Sequence, residues 1–306
     1  MDGLILVDKD TGPTSHDVVA RLRRNLGGVK TGHFGTLDPL ASGLLLVAVG
    51  KATRFNPFYS ALDKSYEGRI RLGFATDTFD AEGRPASPPA ERLPEPEAIR
   101  AALLSVRETT AQTPPPFSAK KFAGKPLYRY ARAGHALQVD AVPIVIRTLE
   151  GRFDEPPFID FSVQCSSGTY IRSLAHDLGR ALGCGAHLAS LRRTRIGDFS
   201  VSEARSLAEV EGRIEAGRID DVLIALDALL PGLPEIVLDA EGVRRVADGR
   251  SVPDDRILSR RPARSLQAGA NETAFRLSDE SGRLVAVARL EALSESLAPF
   301  IVLIPR

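Results

Sequence analysis

The stretch GHFGTLDPLASGLLLVAVG, residues 32–50, carries one acidic side chain, Asp38. The apolar run Leu44–Val49 predicts a fully buried strand, and the glycines and Pro39 before it predict an irregular loop. A carboxylate held at the edge of a core can act covalently or stabilise positive charge. An aspartate that bonds its own backbone in a turn has the same spacing. The choice between these interpretations depends on which residues the fold brings to Asp38.

Arg172 stands at an unusual place for a cation. The segment SSGTYIRSLAHDLGRALG, residues 166–183, has apolar residues at helical spacing and ends on Gly183, which predicts a helix. Arg172 falls in its first turn, where the helix dipole disfavours positive charge. An arginine there indicates an anionic partner nearby.

Other periodic segments supply the scaffold. LILV at the N-terminus predicts a strand, Ser15 is expected to cap a helix, and a second helix is predicted from Glu95 to Leu104. SYEGRIRLG and IDFSVQC alternate between apolar and polar residues, as half-buried strands do. In the first of these strands Tyr66 is predicted to face inward.

Composition places limits on the function. The 306 residues are 43% hydrophobic and 26% charged, which is typical of a soluble protein large enough for two domains. No apolar run approaches the roughly 20 residues of a membrane helix, and MDGLILVDKD lacks the features of a signal peptide. We therefore expect a cytoplasmic location and no membrane partner. Cys165 and Cys184 form no metal-binding pattern with the histidines and are expected to be small buried residues.

Positive charge is concentrated although the net charge is only +1. An irregular insertion with three consecutive prolines spans about residues 108–136, and an insertion of this length is more often functional or mobile than scaffold. Within it, residues 118–133 carry five cations and no acid, and these cations are Lys120, Lys121, Lys125, Arg129 and Arg132. A second basic stretch, residues 170–197, is rich in arginine. Two basic faces on a near-neutral protein indicate a localised polyanion site.

The matching motifs, taken together, resemble the TruB family of tRNA pseudouridine synthases. They are GHFGTLDPLASGLL, DKSYEGRIRLG, TDTFDAEG, FSAKKFAGKPLYRYAR, SSGTYIRSLAHDLG and GCGAHLASLRR. They cover residues 3–205 in the order of the family. The C-terminal segment is similar, more weakly, to a PUA domain, an RNA-binding β-barrel. Lys9-Asp10 stands where the family usually has Lys-Pro, Phe34 replaces a common small residue, and the segment 252–273 is long for the family.

The resemblance implies an α+β fold, with a central mixed, largely antiparallel sheet flanked by helices and a small C-terminal PUA-like β-barrel. We expect a catalytic domain over residues 1–231 and an RNA-binding domain over 232–306. The implied activity is isomerisation of uridine to pseudouridine at position 55, in the T arm of tRNA. No redox cofactor is expected, because nothing is oxidised, and no metal is expected, because the acids and histidines lack metal-binding spacing. The protein is expected to act as a monomer.

The resemblance also implies roles for single residues. Asp38 matches the catalytic nucleophile, and Arg172 matches the residue that forms an ion pair with it. Tyr66 matches the aromatic ring that stacks on the target base and is a possible base for proton transfer. Other matched residues bind substrate: Tyr170 and Leu191 line the uracil pocket, His33 helps to hold extruded bases, and the cations of the insertion contact RNA. Asp80 is a further candidate site residue with no role assigned.

Three other functions compete with this one. A non-catalytic RNA-binding or tRNA-folding protein would use the same basic insertion, but binding alone needs no carboxylate beside the RNA. A guide-RNA-dependent pseudouridine synthase shares the catalytic motif, and the long insertion favours the stand-alone enzyme. A glycosidase would need two working carboxylates, and no second acid stands out.

Overall fold

The computed structural model describes residues 1–118, 120–134, 137, 139–263, 274–291 and 296–305. Residues 119, 135 and 136 of the predicted insertion lie outside the described residues. So do residues 264–273 of the long segment 252–273.

Strands build most of the scaffold. The strands that precede residue 232 are β1 Gly3–Lys9, β2 Thr31–His33, β3 Ala41–Val49, β4 Lys64–Leu72, β5 Ala111–Gln112, β6 Lys121–Phe122, β7 Lys125–Pro126, β8 Val142–Pro143, β9 Ile146–Arg152, β10 Phe158–Cys165, β11 Ala186–Ile196, β12 Phe199–Ser200, β13 Arg205–Ser206 and β14 Leu223–Ala225. Those that follow are β15 Glu235–Leu238, β16 Ile257–Arg261, β17 Ala274–Ser278, β18 Leu284–Leu290 and β19 Leu297–Val302.

Helices connect these strands. The α-helices are α1 Ser15–Asn25, α2 Asn56–Tyr59, α3 Pro96–Arg107, α4 Leu127–Arg132, α5 Ile171–Ala181, α6 Leu207–Glu215 and α7 Ala240–Ala247. Short 3₁₀ helices cover Gly50–Phe55, Val201–Glu203, Ile219–Asp221, Leu226–Ala228 and Asp254–Arg256. No described helix is long and apolar enough to cross a membrane.

The main sheet has the order β13-β1-β3-β11-β4-β10-β9, with β2, β12 and β14 paired to its strands. Only β1 with β13 and β3 with β11 run parallel among the pairs described in this sheet. The predicted mixed, largely antiparallel sheet is therefore confirmed. The predicted strands that carry LILV, SYEGRIRLG and IDFSVQC are also present, as β1, β4 and β10.

The apolar run in β3 is continuous because both faces of this strand are covered. Leu45, Val47 and Val49 join the core beneath α1, α3, α5 and α6. Leu44, Leu46 and Ala48 join a second core on the opposite face of the sheet. A strand buried on both faces has no polar alternation.

Close packing at the start of β3 requires a glycine. Gly43 has φ +101°, and a Cβ atom there would lie 2.3 Å from the carbonyl oxygen of Arg193 on β11. A larger residue would push β3 and β11 apart, next to the loop that carries Asp38.

Two predictions about helices need correction. Thr14, not Ser15, caps α1, because its side chain accepts a hydrogen bond from the backbone N–H of Asp17. Ser15 is the first residue of the helix, and its hydroxyl bonds to Leu37 instead. The helix predicted to end at Leu104 continues to Arg107.

The C-terminal strands form a separate sheet with the order β16-β15-β17-β18-β19. Within residues 235–263, 274–291 and 296–305 the two edge strands, β16 and β19, do not pair with each other. The predicted closed barrel is therefore not observed in these residues. Side chains of β17, β18 and β19 join the same core as the outer face of β1 and β3. The domain boundary between residues 231 and 232 stays a prediction.

Candidate active site

The Asp38 loop, residues 34–40, is tied to two residues at and before the start of α1. The buried Ser15 donates from its hydroxyl to the Leu37 carbonyl at 3.0 Å and accepts from the Leu37 N–H at 2.8 Å. The Gly12 N–H donates to the Pro39 carbonyl. These bonds hold the backbone on both sides of Asp38, while its side chain stays 40% exposed.

Arg172 approaches the loop from the first turn of α5. Its Nε lies 2.8 Å from Oδ2 of Asp38, and its side chain is only 6% exposed. Nη1 donates to the Thr78 carbonyl at 3.0 Å, and Nη2 donates to the Phe117 carbonyl at 2.9 Å. The expected anionic partner of this arginine is therefore present, and further bonds orient the guanidinium.

Asp80 is a second, buried acid beside Arg172. Its Oδ2 lies 3.6 Å from Nη1 of Arg172, and its Oδ1 accepts from the Thr78 hydroxyl at 2.5 Å and from the Glu82 N–H at 3.1 Å. The residue is 4% exposed. Arg172 thus lies between a partly exposed carboxylate and a buried one.

The backbone that precedes Asp80 is held in an uncommon conformation. Phe79 has φ +67°, a region that a bulky residue rarely adopts. Its ring stacks on His176 of α5, with 3.8 Å between ring centroids. This stack fixes the loop of Thr78 and Asp80 against the helix that carries Arg172.

A pocket of about 250 Å³ opens above Asp38. Its lining includes four predicted site residues besides Asp38, and these are Tyr66, Tyr170, Arg172 and Leu191. Tyr66 is on β4 and Leu191 is on β11, so the sheet forms the floor, whereas Tyr170 precedes α5. A pocket somewhat smaller than those that hold drug-sized ligands suits a single nucleobase.

Two buried cations line the same pocket, and the sequence analysis did not assign a role there to either. Arg193 was grouped with the basic stretch 170–197, but it is 1% exposed. Lys64 is 6% exposed and donates to the carbonyls of Ser60 and Leu62 at 2.7 and 2.6 Å. Burial, with a smaller effect of Arg193, lowers the pKa of Lys64 to about 8. The sequence did contain a signal for the position of Lys64. It is two residues from Tyr66 on the same predicted strand, so the two side chains must lie on one face.

Tyrosine ionisation in the pocket is opposed by burial. Burial raises the pKa of Tyr66, and the positive charge of Arg193 offsets part of that rise. Burial also raises the pKa of Tyr170, and the contact with the Ser118 hydroxyl partly offsets it.

His33 lies outside this pocket. It is on β2 and lines a separate groove with residues of α1, among them His16, Arg23 and Arg24. Its buried Nδ1 has no hydrogen-bond partner among the described residues. Burial, followed by the charges of Arg193 and His16, lowers the pKa of His33.

The insertion reaches the pocket through its base. The Phe117 carbonyl accepts from Arg172, and the Tyr128 and Leu127 N–H groups donate to the carbonyls of Ser118 and Lys120. Beyond this base, β6 and β7 form a hairpin that leads into α4. Four of the five predicted RNA-binding cations are exposed, namely Lys121, Lys125, Arg129 and Arg132, and Lys120 is half-buried.

Comparison with protein families identifies this arrangement. Residues 23–171 match the model of the TruB family pseudouridylate synthase, N-terminal domain, and residues 172–233 match the tRNA pseudouridylate synthase B C-terminal domain. The chain belongs to the TruB family. It is 39% identical to tRNA pseudouridine synthase B of Solibacter usitatus, over 88% of this chain and 92% of that relative. It is 45% identical to the protein of the same name from Aromatoleum aromaticum, over 82% and 80% of the two chains.

Solved structures agree with the family. A Cbf5-Nop10-Gar1 complex contains a chain that aligns with 99% of this one and 85% of its own length, at TM-score 0.72 and 27% identity. A chain of an H/ACA RNP bound to a substrate RNA containing 2'-deoxyuridine aligns at TM-score 0.69 and 25% identity, over 99% and 86% of the two chains. The predicted pseudouridine synthase fold is therefore confirmed.

Proposed function

We propose that this TruB-family enzyme converts uridine 55, in the T arm of tRNA, to pseudouridine, and that Asp38 is its catalytic carboxylate. The observation that carries the proposal is the ion pair of Asp38 with the buried Arg172 at the mouth of a nucleobase-sized pocket. The TruB-family relatives named tRNA pseudouridine synthase B support tRNA as the substrate. The T arm and position 55 come from the motif resemblance.

The chemistry exchanges one bond for another. The C1′–N1 bond of uridine breaks and its electron pair stays on the uracil. After the uracil turns, its C5 forms the new bond to C1′. The proton on C5 then leaves, its electron pair restores the C5–C6 double bond, and N1 takes up a proton. Nothing is oxidised or reduced.

Asp38 suits the first half of this reaction. A carboxylate can attack covalently or stabilise the positive charge that develops on the sugar, and it must be ionised to do either. Arg172 orients the carboxylate through its Nε–Oδ2 contact of 2.8 Å. Attack at the base, attack at the sugar and a glycal route all require the same carboxylate beside the reacting nucleotide.

Tyr66 suits the second half. Its ring lies in the floor of the pocket, where an extruded base can stack on it, and extrusion costs a few kcal/mol that stacking helps to offset. As a phenolate, its oxygen can accept the C5 proton and then return it to solvent. Tyr170 and Leu191 would close the sides of the uracil pocket, and Asp80 would orient Arg172.

Affinity for tRNA would come from surfaces around the pocket. The cations of the insertion can neutralise phosphates, which supplies most of the affinity for nucleic acid. His33, in the groove beside α1, would contact bases displaced with the target. We further propose that the enzyme acts as a monomer in the cytoplasm, and that residues 1–231 and 232–306 are its catalytic and RNA-binding domains.

A guide-RNA-dependent synthase is the second function to test, because the structural neighbours include a chain of an H/ACA RNP. The stand-alone function is favoured because the tRNA-named relatives are 39% and 45% identical, whereas the chain of the Cbf5 complex is 27% identical.

The experiment uses purified protein and an unmodified tRNA transcript, with pseudouridine mapped at nucleotide resolution. We expect modification at position 55 without any added RNA. A transcript with cytidine at that position serves as the control. Modification that required a guide RNA would support the second function, and binding without modification would contradict the enzymatic proposal.

A further inference from the structure

Arg193 lies directly opposite Tyr66 in the antiparallel pair of β11 with β4. Opposed residues in such a pair project from the same face of the sheet. The side chains of Arg193 and Tyr66 therefore lie side by side, and both line the pocket. Leu191 lies two residues earlier on β11, so the same face carries a predicted uracil contact as well.

The same guanidinium holds the Asp38 loop. Its Nη1 donates to the Thr36 carbonyl at 3.2 Å, and its Nη2 donates to the Gly35 carbonyl at 3.1 Å. Its Nε donates to the Leu44 carbonyl at 2.8 Å. One side chain thus joins the backbone before Asp38 to the strand that follows Asp38, and it lies beside the side chain of Tyr66.

Stability alone does not account for an arginine at this position. Arg193 is 1% exposed and makes no salt bridge among the residues that the structure describes. Moving a charge out of water is costly, and apolar side chains of similar volume often serve stability as well or better. The position of its bonds, at the two groups that the reaction needs, indicates a functional role.

We propose that Arg193 is a positioning residue for the isomerisation, which holds the Asp38 loop and the Tyr66 side chain in one arrangement from beneath the pocket. The proposal rests on the function given above. It adds Arg193 to the residues that the motifs matched, with a role that its bonds to the loop backbone define as positioning.

The charge of Arg193 also bears on proton transfer. The groups whose charge shifts the pKa of Tyr66 are Arg193 on β11, Cys165 on β10 and Asp38 on the loop. The other charged or titratable groups in the lining of the pocket are Lys64 on β4, Tyr170 and Arg172. Burial, Cys165 and Asp38 all raise the pKa of Tyr66, and Arg193 lowers it. Removing Arg193 therefore raises the pKa of Tyr66 further and leaves less phenolate to take the C5 proton. Each unit of pKa would lower the phenolate fraction about tenfold.

The test compares Arg193→Gln and Arg193→Lys with a matched control, Arg69→Gln. Arg69 lies on the opposite face of β4, where it makes a two-bond ion pair with Asp160. The first readout is the rate of pseudouridine formation in a single turnover with excess enzyme. The second is the NMR resonance of tyrosine labelled at Cζ in the free protein, which reports the surroundings and ionisation of each hydroxyl. The chain has five tyrosines, and Tyr66→Phe assigns the resonance of interest.

We expect Arg193→Gln to slow the reaction by about tenfold or more and to shift the Tyr66 resonance. Arg193→Lys keeps the charge and should recover part of the rate. Arg69→Gln should change neither readout. A wild-type rate, or an unmoved Tyr66 resonance, in folded Arg193→Gln protein would overturn the proposal. If that variant does not fold, the same two readouts on Arg193→Lys decide, because losing the three carbonyl bonds should still slow the reaction and shift the resonance.

The two proposals fail in different ways. If the wild-type protein makes no pseudouridine, the proposed function fails. The NMR readout still reports whether Arg193 holds Tyr66, because it needs no substrate.

Discussion

The ion pair of Asp38 with Arg172 is asymmetric, since the carboxylate is 40% exposed and the arginine side chain is 6% exposed. The arginine is fixed by two backbone carbonyls and by the nearby Asp80 carboxylate. The aspartate is therefore the partner that can reach a substrate, and the arginine is the partner whose loss disturbs the fold. This difference separates the expected effects of substituting the two residues.

Asp38→Asn should abolish isomerisation and leave folding and tRNA binding close to wild type. The amide keeps the size of the side chain but loses the negative charge, and loss of a principal catalytic group lowers rates by several powers of ten. Conversion of unmodified tRNA in a single turnover measures the effect. The matched control is Asp160→Asn on the outer face of the sheet, which should convert tRNA normally. A wild-type rate for Asp38→Asn would show that Asp38 is only a turn residue.

Arg172→Ala should lose stability as well as activity. It leaves the buried Asp80 carboxylate without its cation and two carbonyls without a donor, and breaking a buried pair from one side costs about 3–5 kcal/mol. Urea denaturation measures the free energy of unfolding. Arg180→Ala, in the last turn of the same helix, removes an exposed ion pair and should cost less than about 1 kcal/mol. Equal losses for the two variants would contradict the structural role of Arg172.

Replacing Lys120, Lys121 and Lys125 by alanine should weaken tRNA binding and flatten its salt dependence. Each lost phosphate contact lowers the slope of log affinity against log salt by about 0.7–0.9. Titrations of tRNA at several salt concentrations measure the slope. Alanine substitution of three exposed arginines outside the insertion, Arg92, Arg100 and Arg107, removes the same charge and should have the smaller effect. An unchanged slope for the lysine variant would mean that the insertion does not contact the RNA backbone.

The scaffold could be predicted from the sequence because its signals are local. Alternation placed Tyr66 inside and marked β4 and β10, and the apolar run marked β3. The ion pair of Asp38 with Arg172 joins residues far apart in the sequence, so periodicity alone could not predict it. The family motifs identified both partners. Arg193 was missed because neighbouring arginines at 192, 193 and 195 look alike in a list of charges. Only the register of β11 against β4 shows that Arg193 faces the pocket and Arg192 faces away, where it pairs with Asp8.

Buried Lys64 should make stability depend on alkaline pH. Its pKa is lowered to about 8 in the folded state from 10.5, so between these values the unfolded chain binds more protons than the folded one. The free energy of unfolding therefore rises as the pH increases from about 8 to 10.5, and it falls again as the pH is lowered. Comparing unfolding of wild type and Lys64→Met over this range should show wild type gaining up to about 3 kcal/mol relative to the variant. Lys51→Met, at a more exposed lysine, is the control. A difference in unfolding free energy between wild type and Lys64→Met that did not change with pH would contradict the lowered pKa of Lys64.

Ser15 and Thr14 offer a test of how the catalytic loop is held. Thr14→Ala removes the cap of α1 and should cost about 1 kcal/mol of stability with little effect on the rate. Ser15→Ala leaves the buried N–H and carbonyl of Leu37 without their partner, at a cost of about 1–3 kcal/mol. Because Leu37 precedes Asp38, this variant should also slow the single-turnover reaction while tRNA binding stays at wild-type affinity. The comparison is made well below the unfolding temperature of both proteins. A rate for Ser15→Ala equal to that of Thr14→Ala would mean that the loop holds Asp38 in place without the serine.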